Sequence, residues 1–145
     1  MKGQIQATLT HEVKGNAIEA IDTLKDSLPF LLNLSTAQRV SLPKMDDGRR
    51  PFVEKALGYG EKESAVVPPY IDLAELRSDL ELYSSLAEIY KPLKQLEQLL
   101  SDTLIAAGSD SYTAALSIYN SAKRAAKDGV PGAQSIVDDL KKLFE

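Results

Sequence analysis

From Leu73 onward, Leu76, Leu80, Tyr83, Ala87, Tyr90, Leu93, Leu96, Leu100 and Thr103 recur at spacings of three and four. That repeat follows the 3.6-residue turn of an α-helix and draws one long apolar stripe. Leu82, Leu86, Ile89 and Leu99 stand on adjoining positions and widen it beyond what a single neighbouring helix covers. A stripe of this kind needs other apolar faces against it, so the chain has to be built from packed helices.

The rest of the chain supplies them. Asp72 offers an N-cap with Glu75 three residues on, and Gly108 offers an end, which predicts one helix of about 35 residues with Pro92 kinking its middle. Ser109 or Asp110 then caps a fourth segment carrying Tyr112, Ala115, Leu116, Tyr119, Ala122 and Ala126. With almost no linker between them, these two segments are expected to fold back as a helical hairpin. The fourth ends at Gly129 and resumes after Pro131 with Ile136, Val137, Leu140, Leu143 and Phe144. Earlier, Thr10 caps a first helix over 11–32, weakened by Gly15, and a helical turn starts at Ser35. A second helix starts near Arg50 and Pro51, and the prolines of Val66-Val67-Pro68-Pro69-Tyr70 predict an extended connector. The expected fold is all-α: an antiparallel four-helix bundle, its third helix long and kinked near Pro92, its last interrupted at Val130-Pro131-Gly132.

Bulk properties agree with one globular domain over residues 1–145, with residues 1–10 as a flexible arm. The apolar share of 43% with 26% charged residues separates the chain from disordered sequences. Seventeen basic and 21 acidic side chains leave a net charge of −4, which gives no general attraction to nucleic acid or anionic membranes. The chain has no cysteine, so thiolate nucleophiles and cysteine-based metal sites are excluded. The first residues lack the apolar core of a signal peptide and no apolar run approaches about 18 residues. A cytoplasmic location is the default expectation.

The blocks "LPKMDDGRRPFVEKAL", "VPPYIDLAELRSDLELY", "LEQLLSDTLIAAGSDSY", "AALSIYNSAKRAAKDGVPGA" and "IVDDLKKLF" resemble a family of small bacterial all-helical proteins with no assigned activity. The resemblance covers residues 28–144. It implies a helical domain and carries over no functional residue.

Chemistry-bearing constellations are sparse. His11 is the single histidine, and no Glu-x-x-His pair exists for a bundle di-iron site. No calcium loop, phosphate-binding glycine loop or serine-histidine-acid arrangement stands out, so no catalytic, cofactor or metal residues are assigned. Lys123, Arg124 and Lys127 sit where cations suit a helix C-terminus, and Lys44, Arg49 and Arg50 are interrupted by Asp46 and Asp47. Tyr83 and Tyr90, and again Tyr112 and Tyr119, are one heptad apart, and the expected hairpin would face one pair with the other. Such phenols could line a ligand pocket, although packing alone accounts for aromatic residues at helical spacing. Val67, Tyr70 and Ile71 are apolar groups beside two prolines, suited either to contact a partner or to plug the end of the bundle.

These features favour a non-enzymatic structural or protein-interaction bundle that self-associates. A small-ligand carrier with a pocket at Tyr83, Tyr90, Tyr112 and Tyr119 is the alternative, and an enzyme comes third.

Overall fold

Every regular element in the computed structural model, which describes residues 3–144, is helical. The first helix, α1 (His11–Ser27), starts where Thr10 predicts: its hydroxyl accepts the Val13 N–H at 3.1 Å. It stops short of the expected residue 32. Leu28 precedes Pro29, whose ring disfavours a helical residue before it, and Leu28 turns out to φ −123°, ψ 65°. The apolar rhythm runs on to Leu31 after the helix has ended.

A short helix, α2 (Thr36–Ser41), follows Ser35 through a reciprocal capping box. Gln38 N–H donates to the Ser35 hydroxyl at 3.1 Å, and Ser35 N–H donates to Gln38 Oε1 at 2.9 Å. Next, α3 (Arg50–Lys62) carries Pro51 in its first turn, where a missing N–H costs nothing. The connector beyond it is less extended than its prolines predict. It contains a 3₁₀ turn at Ser64–Val66 and a second bend in which Ile71 N–H donates to the Pro68 carbonyl at 3.0 Å.

The largest departure is α4, which runs from Leu73 to Lys127 over 55 residues. Its start is as expected, with Asp72 Oδ1 accepting the N–H groups of Ala74 at 2.9 Å and Glu75 at 3.3 Å. Gly108, however, does not end it, and no helical hairpin forms there. A glycine inside a helix costs only about 1 kcal/mol, and the alanine- and leucine-rich turns on either side outweigh that. Neither expected cap acts as one: Ser109 and Asp110 both lie inside α4, and the Asp110 carboxylate is engaged with the N-terminal arm.

The true end of α4 lies at the second break. Gly129 has φ 76°, Val130 N–H donates to the Ala125 carbonyl at 3.0 Å and Gly129 N–H to that of Ala126 at 3.2 Å, which together make a Schellman motif. Gly132 has φ 82°, and α5 (Ala133–Phe144) follows, so the interruption at Val130-Pro131-Gly132 is where the sequence puts it.

The chain divides into two compact units, residues 9–93 and residues 1–8 with 94–145. In the first unit Leu57 is the buried large apolar side chain; in the second Ala133 and Val137 are buried. Most other large apolar side chains keep half or more of their surface uncovered.

Candidate interaction groove

Within residues 9–93, α1 and the first part of α4 flank an apolar groove of about 640 Å³. Ile21, Leu24 and Leu28 line it from α1, at the three- and four-residue spacing that makes one helix face. Leu86, Ile89 and Leu93 line it from α4 at the same spacing. Lys25 is the charged residue among the lining groups. These side chains face each other without closing over: Ile21 is 54% exposed and Leu31, just beyond Pro29, is 56% exposed. Leu31 lines the same groove from beyond the end of α1, where Pro29 has already stopped the helix.

Tyr83 and Tyr90 also line this groove. The Tyr83 hydroxyl donates to the Met45 carbonyl at 3.0 Å, which ties the loop before α3 to α4. That loop also consumes the basic cluster noted in the sequence. Lys44 donates to the Leu42 carbonyl at 3.1 Å, Arg49 to the Lys44 carbonyl at 3.1 Å, and Arg50 pairs with Glu54 at 3.1 Å and bonds the Ser84 hydroxyl. The cations therefore hold the chain's own backbone and side chains in place.

Tyr112 and Tyr119 lie in the other unit. With Leu116 they meet Leu140, Leu143 and Phe144 of α5 around a pocket of about 130 Å³. The Tyr119 and Phe144 rings stack at 6.1 Å with 20° between their planes, and the Lys123 ammonium sits 4.7 Å from the Tyr119 centroid. Aromatic stacking and a cation over the ring face both favour this arrangement, so Tyr119 is a packing residue for α5. All four tyrosines are on α4, and the hairpin expected to face one pair with the other is absent.

In the connector, Val67 is half-buried and approaches Gly60 so closely that a Cβ there would sit 3.3 Å from Val67 Cγ2 and 3.0 Å from Leu73 Cδ2. Tyr70 takes the opposite course and is 85% exposed, with Ile71 at the exposed margin beside it.

The α1 contribution to the groove is what sequence reasoning missed as a site. Its signal was present in the spacing of Ile21, Leu24 and Leu28, but a helix face of that kind is indistinguishable from core until its neighbour is known. Among the described residues, no group of three or more His, Cys, Asp or Glu could hold a metal ion, and no helix is long and apolar enough to cross a membrane. No protein-family model, curated protein or solved structure matches the chain. The resemblance of residues 28–144 to a helical family finds no counterpart in those comparisons.

Proposed function

We propose that the protein is a non-enzymatic helical interaction module that self-associates through the groove of residues 9–93. The observation that carries this is the open apolar lining shared by α1 and α4, with Ile21, Leu31 and Tyr90 each more than half exposed. Fully burying one large apolar side chain is worth about 1.5–3 kcal/mol, so covering several half-exposed ones is comparable to the whole stability of a small domain.

A second copy is the occupant that fits. Both copies bring the same apolar face, as a two-fold interface requires. Asp22 and Asp26 flank Lys25 on α1, which gives each copy acids to set against the other's cation at the rim. Two copies joined in this way contribute α1 and the first part of α4 twice, which makes four helices around one core. Such a bundle is an assembly of two chains, different from the single-chain four-helix bundle expected from the sequence.

The test is a double substitution in the groove, Leu86→Lys with Ile89→Lys. Both positions face the proposed interface, and lysine is a good helix former. The expected result is later elution on gel filtration with helical circular dichroism retained. Elution unchanged from wild type, with the helix signal retained, overturns the proposal.

A small-ligand carrier is favoured by one observation: the groove volume falls within the roughly 300–1,000 Å³ of small-molecule sites, and its lining is apolar with two phenols. Native mass spectrometry on protein purified from its own organism distinguishes the two. A discrete adduct of small mass that Tyr90→Ala abolishes supports the carrier; oligomer masses without an adduct support self-association.

A further inference from the structure

Tyr83 belongs to two structures at once. Its ring lines the groove of residues 9–93, and its hydroxyl donates to the Met45 carbonyl at 3.0 Å. Ser84, next to it on α4, lies outside that lining. Its hydroxyl accepts from the Arg50 guanidinium and donates to the Leu80 carbonyl at 2.9 Å. Two adjacent residues of α4 therefore anchor the two ends of residues 45–50.

Between those ends the segment is bonded to itself. Arg49 N–H donates to Asp46 Oδ1 at 2.8 Å and to the Asp46 carbonyl at 3.1 Å, and Arg50 N–H donates to the same carbonyl at 3.1 Å. The Arg49 guanidinium closes the turn on the Lys44 carbonyl at 3.1 Å. A contiguous network of this kind passes a displacement of either anchor on to its amides. At the groove, Tyr83 is half-buried before anything is bound. A ring already held by its hydroxyl spares an incoming partner the entropy of fixing it.

We infer that Tyr83 is a positioning residue of the groove: its bond to Met45 holds its ring in the lining and couples occupancy of the groove to the order of the turn at residues 45–50. The consequence for pairing rests on the self-association proposed above, whereas the tie between Tyr83 and the turn does not. A second copy seated in the groove steadies the turn, and by linkage a steadier turn strengthens the pairing by the same factor.

A double-mutant cycle tests this. Tyr83→Phe keeps the ring and removes the donor; Ser84→Ala removes the other anchor and leaves the lining intact. Sedimentation across a concentration range reads association, and amide hydrogen exchange at Arg49 and Arg50 reads the turn. In wild type that exchange is expected to slow as the average mass rises. Tyr83→Phe is expected to weaken association about three- to tenfold, the effect of one hydrogen bond, and to abolish the slowing. Ser84→Ala is expected to weaken association less, and the double variant no more than Tyr83→Phe alone. Unchanged association in Tyr83→Phe overturns the positioning role. Losses that multiply in the double variant also overturn it, because the turn then acts on pairing without Tyr83. Wild-type exchange that does not slow while the mass rises overturns the coupling. If wild type stays at monomer mass, self-association fails and the tie is decided in the monomer: faster exchange at Arg49 and Arg50 in Tyr83→Phe upholds it, and unchanged exchange overturns it.

Discussion

At the residue scale, the glycines divide by what their surroundings demand. Gly132 is held at φ 82°, which an L side chain rarely adopts, so Gly132→Ala is expected to lower stability by more than about 1 kcal/mol in thermal unfolding. Gly108 lies inside α4 with open space where a Cβ would be, so Gly108→Ala is expected to raise stability by about 0.5–1 kcal/mol. Opposite signs from the same substitution would confirm that α4 passes through 108 and breaks at 129–132. The caps Thr10, Ser35 and Asp72 were legible in the sequence because each bonds an amide within three residues. Asp110 was not. Its partners lie 106 and 105 residues away, and local chemistry alone makes an aspartate after Gly-Ser look like a helix start.

At the element scale, periodicity placed the helices but misjudged where two of them stop. For α1 the apolar spacing continued through Leu28 and Leu31 while Pro29 had already excluded the helical conformation. For α4 the reverse happened: a glycine read as a terminator was carried by the strong helix formers around it. Pro92 is the remaining local fault in α4, since it supplies no N–H to the Glu88 carbonyl. Pro92→Ala restores that donor and is expected to raise the unfolding temperature, with a gain of up to about 3 kcal/mol. An unfolding temperature equal to or below wild type would mean that the neighbouring packing depends on the proline. The groove was half legible for the same reason as the helices. Leu86 and Ile89 stand out in the sequence as surplus apolar positions on α4 and Leu93 as part of its main stripe, whereas the matching face of α1 becomes a lining only once the two are placed around one opening.

At the scale of the whole molecule, the proposed self-association rests on apolar helix faces that a second copy would cover. Within residues 9–93 a single large apolar side chain, Leu57, is buried, while α1 and α4 present leucines and isoleucines to an open groove. Association stabilises such a chain by mass action, so its unfolding temperature is expected to rise with protein concentration. The most direct test is sedimentation equilibrium of the wild-type chain across a wide concentration range. Self-association predicts an average mass that climbs above 15.8 kDa to a discrete multiple of it. A mass of 15.8 kDa at every concentration would contradict it.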